Sequence, residues 1–328
     1  MNYRRLGRTG LRVSEIGFGC GNVGGLMIRG EPSSRTRAVA RALELGIDYF
    51  DTAPSYGDGQ SERNLGQVFR ELGAEAYVGT KVRLTNGERK DVQGDIFHSA
   101  EESLRRLRRE YVDLIQLHNP ITLRRGTDFS AMNVEEVLGE VAEAFQSLQR
   151  QGKVRFYGIT ALGETEAIHR AIEVGAFHTA QVCYNLLNPS AGVEVTLKFY
   201  AQDFARLIQR ASETETGVIA IRVLAAGALS GVESRHPIAA PSVPPIASGP
   251  DYDEDLGRTR SFEPLVKEGY VESLVEASLR FVLSERGVST ALVGFSSIEQ
   301  LEKAVEYASK GPLPRESLGL LPEVWNRW

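Results

Sequence analysis

The 328-residue chain has only two cysteines, Cys20 and Cys183, far apart in sequence. That excludes a disulfide framework and a cysteine metal cluster, and it fits a reducing compartment. No apolar run is long enough to span a bilayer, and the opening Met1-Asn2-Tyr3-Arg4-Arg5 lacks a signal-peptide core. Basic residues are not in excess. Thirty-eight Lys and Arg against 43 Asp and Glu leave a net charge of -5, which argues against a nucleic-acid partner. No carboxylate pair has the spacing of a glycoside hydrolase, and no His/Asp/Glu cluster suggests a metal. The expectation is a cytoplasmic enzyme with a small-molecule substrate.

What is present is an alternation of short apolar runs with longer amphipathic stretches. Strands are expected near Glu15–Gly19, Ile47–Phe50, Ala76–Thr80, Val112–Leu117, Val154–Gly158, Thr179–Val182, Val218–Ile221 and Ala291–Val293. Helical patterns lie between them at Thr36–Leu45, Glu62–Leu72, Ile96–Arg109, Val134–Arg150, Thr165–Val174, Phe204–Ser212, Val271–Glu285 and Ile298–Ala308. Several stop on glycine, as in Leu45-Gly46 and Leu72-Gly73. Eight strand–helix repeats without a dividing linker predict one domain over residues 1–328, a (β/α)8 barrel. The glycine-rich stretch from Gly17 to Gly25 opens no amphipathic helix, so it is a poor dinucleotide fingerprint and an open sheet is disfavoured. Two irregular segments interrupt the pattern: Asn119–Met132 and the proline-rich Gly231–Gly257, expected to be either mobile or a lid. The arginines at 105, 106, 108 and 109 read as a solvated helix face.

Four polar side chains end consecutive predicted strands or begin their loops: Asp51 and Tyr56, Lys81, and His118. A barrel gathers such ends on one face. The chemistry that suits them is proton transfer at a carbonyl or alcohol oxygen. A free phenol has a pKa of about 10, and a lysine cation nearby favours its ionised form. Asp51 can hold that lysine charged and in place, and His118 can orient the reacting oxygen. Each residue alone is more often structural; the four together point to catalysis.

The segments Phe50-Asp51-Thr52-Ala53-Pro54-Ser55-Tyr56-Gly57, Gly79-Thr80-Lys81-Val82 and Asp113-Leu114-Ile115-Gln116-Leu117-His118 resemble the aldo-keto reductases. So does the start of the chain from Tyr3 to Ser14, which would form an N-terminal hairpin closing the barrel floor. The resemblance covers essentially the whole chain. It implies an NAD(P)-dependent oxidoreductase that interconverts aldehydes or ketones, open-chain sugars included, with alcohols. Tyr56 would be the general acid or base, supported by Lys81 and Asp51, and His118 would place the substrate oxygen. The same resemblance leaves room for a sugar dehydrogenase working oxidatively, or for a non-catalytic, NADPH-binding channel-accessory subunit.

It also implies cofactor contacts at Gly21, Asn22, Asp51, Thr160, Gln181, Arg222, Leu224, Gly227, Gly294, Ser296, Gln300 and Lys303. Ala161 stands where the family has asparagine, Ile221 where it has a stacking tyrosine, and Arg222 where it has serine. An arginine plane at 222 could stack on the nicotinamide instead. Ser296 and Lys303 could hold a phosphate at the start of the last barrel helix, which puts NADP(H) ahead of NAD(H). Substrate specificity is expected in Asn22, Val23, the loop after His118 and the segment after Gly231. Oligomeric state cannot be read from the sequence.

Overall fold

The computed structural model describes residues 1–85, 91–124 and 130–328. Eight parallel strands close into a barrel: β1 (Ile16–Gly19), β2 (Tyr49–Asp51), β3 (Tyr77–Val82), β4 (Val112–Leu117), β5 (Val154–Thr160), β6 (Thr179–Cys183), β7 (Gly217–Ile221) and β8 (Val288–Gly294). Closure runs through β8 pairing with β1, as in Val293 beside Phe18. The expected strand positions hold throughout, with β8 longer than its apolar run because Val288, Ser289 and Thr290 are buried as well.

The barrel helices are α1 (Pro32–Glu44), α2 (Gln60–Leu72), α3 (Val92–Leu107), α4 (Ala142–Arg150), α5 (Thr165–Glu173), α6 (Leu207–Glu213), α7 (Leu274–Ser284) and α8 (Ile298–Ser309). Local signals set their ends. Pro32 opens α1, where its missing N–H costs nothing, and the side chains of Asp91, Ser273 and Ser297 cap α3, α7 and α8. The continuous pattern expected over Val134–Arg150 is instead a helical turn at Val134–Glu136, a π-turn at Val137–Val141 and then α4.

The main core lies between strands and helices. Phe18 stacks on Phe50 at 5.3 Å, while Phe295 and Phe69 meet these rings edge-on, each at 5.1 Å. Such pairs add about 0.5–1.5 kcal/mol beyond the area they bury. A smaller cluster of Leu6, Leu11, Val13, Tyr49, Leu114 and Ile219 fills the barrel floor. Its first three members come from the expected hairpin, Tyr3–Arg5 paired with Arg12–Ser14, which seals the N-terminal end.

The arginine run is not simply a solvated face. Arg106 pairs with the fully buried Glu62, and Arg109 lies over the Phe69 ring at 5.3 Å and within 3.8 Å of Asp113. Their stems cover apolar surface while their heads tie α3 to α2 and β4.

After β7 the proline-rich segment folds over the C-terminal face and leads into a further helix, Tyr252–Thr259. The Ala240 N–H bonds the Val23 carbonyl, and Arg29 donates to the Ile238 carbonyl at 2.7 Å. Arg222 donates to the Pro244 carbonyl at 3.2 Å, and Asn188 bonds the Ala247 carbonyl. The segment is therefore strapped to the loops after β1, β6 and β7. Residues 125–129 of the other irregular segment lie outside the described residues.

Candidate active site

Asp51 is the last residue of β2 and is 1% exposed. Its Oδ1 accepts from the Lys81 ammonium, while Oδ2 accepts from the Tyr49 hydroxyl at 3.1 Å and from Gln181 Nε2 at 2.6 Å. Lys81 also donates to the Thr52 carbonyl at 2.8 Å. A buried ion pair survives only when its remaining hydrogen-bonding capacity is used, and here it is.

Tyr56 sits in the turn after β2. The Lys81 ammonium lies 4.9 Å from its ring centroid, and the His118 ring meets it edge-on at 6.0 Å. All four residues named from the sequence thus meet at one place. Asp51 and Lys81 are buried, while Tyr56 and His118 keep partial exposure.

Burial dominates the electrostatics. It raises the Tyr56 pKa; the Lys81 charge and hydrogen bond and the more distant Arg222 pull it down without cancelling that rise. The sequence-based expectation of a depressed phenol pKa is therefore reversed: the Tyr56 pKa lies above its ordinary value. Desolvation also opposes charge on Lys81, but Asp51 and Tyr56 outweigh it, and the lysine pKa ends above its ordinary value. His118 is pushed down to about 3 by burial and by the charges of Lys81 and Arg83, so its imidazole is neutral. Its Nδ1 is buried with no partner among the described residues.

The residues expected to hold a cofactor fall into two groups. Near the four, Thr160 ends β5 and Gln181 lies in β6. The Thr160 hydroxyl donates to Gln181 Oε1 at 3.4 Å, a contact weak enough to leave that oxygen open to an amide N–H. These two side chains fit a nicotinamide carboxamide without parting Gln181 from Asp51. Gly21 borders the Tyr56 ring, where an added Cβ would lie 3.4 Å from it. Arg222 has a left-handed backbone, φ 57°, with its carbonyl held by Asn185, and burial lowers its pKa. Leu224 and Gly227 lie in the turns that follow β7, with Gly227 at φ 108°.

Farther out the residues are engaged elsewhere. Ser296 is buried and donates to the Gly24 carbonyl at 2.7 Å, while its N–H is taken by the Gln300 side chain at 2.8 Å. Lys303 pairs with Glu306 at 2.8 Å. Gly294 ends β8 beside Gly24, and Asn22 is exposed with its carbonyl bonded by Arg29.

Two polar residues of the barrel interior escaped the sequence reading, because both sit inside apolar runs. Tyr49 bonds Asp51 as described. Gln116 is fully buried beside Lys81 in the β3–β4 register, with neither amide atom partnered among the described residues. The period-two alternation of Leu114, Gln116 and His118 along β4 is the signal that could have placed Gln116 on the inward face.

Comparison with known proteins identifies the family to which the barrel belongs. The Aldo/keto reductase family model matches residues 15–326, and the chain belongs to that family. It is 28% identical to aldo-keto reductase YhdN of Bacillus subtilis, over 93% of this chain and 88% of that protein. It is also 28% identical to L-galactose dehydrogenase of Arabidopsis thaliana, over 99% of this chain and 92% of that one. Among solved structures it resembles the holo form of aldo-keto reductase AKR11C1 from Bacillus halodurans, with a TM-score of 0.72, 26% identity and coverage of 99% and 96%. Aldo-keto reductases are oxidoreductases that bind nicotinamide cofactors and act on small carbonyl compounds.

Proposed function

We infer that this protein interconverts small aldehydes or ketones, open-chain sugars among them, with the corresponding alcohols, using NAD(P)(H). The observation that carries the reading is the contact of Tyr56 with Lys81 and His118 above the Asp51–Lys81 pair. When bound, the nicotinamide supplies or accepts the hydride. Thr160 and Gln181 would hold its carboxamide, and Arg222 would lie beside it as a candidate stacking plane.

The chain's own residues handle the proton. Tyr56, protonated at neutral pH, delivers its hydroxyl proton to the carbonyl oxygen in the reductive direction. The Lys81 cation steadies the phenolate that forms, and Asp51 keeps the lysine charged and fixed. His118 places the oxygen. Its neutral ring has one N–H to give, and an unpartnered buried N–H is costlier than an unpartnered lone pair, so the Nδ1 environment favours the tautomer with hydrogen on Nε2. In the oxidative direction Tyr56 takes the proton back.

Tyr56→Phe should leave NADPH binding within about twofold of wild type and lower kcat by a factor of about 10²–10⁴, the usual contribution of a positioned proton donor. The assay is NAD(P)H absorbance over a panel of carbonyl compounds. Unchanged turnover would remove Tyr56 as the acid. Tight cofactor binding with no turnover on any substrate would favour a regulatory subunit.

A further inference from the structure

Tyr49 reads as an ordinary apolar residue of β2, and its ring is fully buried in the barrel. Two neighbouring strands make room for it with glycine. A Cβ on Gly17 of β1 would lie 3.0 Å from Tyr49 Cδ1, and a Cβ on Gly79 of β3 would lie 2.5 Å from the Tyr49 hydroxyl. A phenylalanine would fill most of the same slot, so packing alone does not call for the hydroxyl. That hydroxyl donates to Asp51 Oδ2 at 3.1 Å, on the carboxylate oxygen opposite the one that holds Lys81. Burial and the negative charge of Asp51 push the phenol's own pKa far up, so Tyr49 remains a donor at every working pH.

We propose that Tyr49 is a positioning residue for the reaction, clamping Asp51 Oδ2 together with Gln181 and so dividing the carboxylate between these donors and Lys81. The inference rests on the role given to Tyr56 above. The physical argument is the sharing of one negative charge. While Tyr49 draws on Oδ2, Lys81 is only partly neutralised and keeps its stabilising effect on the Tyr56 phenolate. Without the hydroxyl, the carboxylate leans on Lys81 and the phenolate loses support. Other charged or titratable groups act on this assembly, namely Cys20 after β1, Asp113 and His118 at β4, and Arg222 after β7. Among the described residues, only Tyr49 and Gln181 bond Oδ2.

The test is Tyr49→Phe. It should fold and bind NADPH as wild type does, lower kcat about tenfold, and move the Tyr56 limb of the kcat–pH profile upward by about one unit, equivalent to that tenfold change. A purely structural hydroxyl would lower thermal stability and leave the position of that limb unchanged, and that result overturns the proposal. Tyr56→Phe, measured alongside, separates the two readings: if it keeps turnover, the role of Tyr56 fails first. Should Tyr49→Phe not fold, Gly79→Ala tests the same contact by driving the hydroxyl off Asp51, with the same upward limb expected and an unmoved limb counting against it.

Discussion

The ends of β2, β3 and β4 contrast sharply with the end of β8. On the first side Asp51, Lys81, Tyr56 and His118 already touch, with the ion pair closed off from water. On the second, Ser296 is bonded to the Gly24 carbonyl and Lys303 to Glu306, so both side chains are engaged within the protein itself. The contrast has a physical cause. Stabilising charge as it develops requires groups fixed beforehand in a low-dielectric site, whereas recognition of a nucleotide tail tolerates surface side chains that rearrange on binding.

The strongest way to break this contrast is Lys81→Met. Leaving Asp51 buried without its cation should destabilise the fold by about 3–5 kcal/mol, read from urea unfolding, and turnover should fall with it. A loss below 1 kcal/mol would mean that the ion pair is not buried as described. The next effect belongs to His118. Its folded pKa of about 3 lies below the unfolded value near 6.5, so the unfolded chain binds a proton first as pH drops. Stability should therefore fall between pH 7 and 4.5, by about 2 kcal/mol more in wild type than in His118→Asn; equal slopes in the two proteins would contradict a neutral, buried imidazole.

Arg222→Ala is expected to weaken NAD(P)H binding about tenfold, the size of one partly desolvated cation–π stack (about 1.4 kcal/mol), as measured by fluorescence titration. Unchanged affinity would place this arginine outside the cofactor contacts. The smallest effect is assigned to Lys303→Ala, whose exposed pairing with Glu306 is screened by solvent. NADPH affinity should change by less than about threefold. A larger loss with NADPH and none with NADH would show the lysine turning to the 2′-phosphate, and would erase the difference between the two ends.

The barrel and its four chemical residues were legible because β/α alternation is periodic and because Asp51, Lys81 and His118 each close an apolar run. Tyr49 and Gln116 were not, since a polar atom inside an apolar run declares itself only once neighbouring strands show what faces it. Long-range bonds were equally hidden: nothing local marks Glu62 as the partner of Arg106, or Gly24 as the acceptor for Ser296. The sense of the Tyr56 shift was misjudged for a related reason, because spacing reveals a neighbouring charge and not the water it has displaced.

The strap after β7 has a kinetic meaning. It is fastened at Val23 and Arg29 on one side and at Arg222 and Asn188 on the other, so it bridges the end of β8, which lies between β7 and β1 in the barrel. A ligand bound beneath it would leave only as those fastenings part. A loosened strap is therefore expected to raise the rate at which such a ligand dissociates.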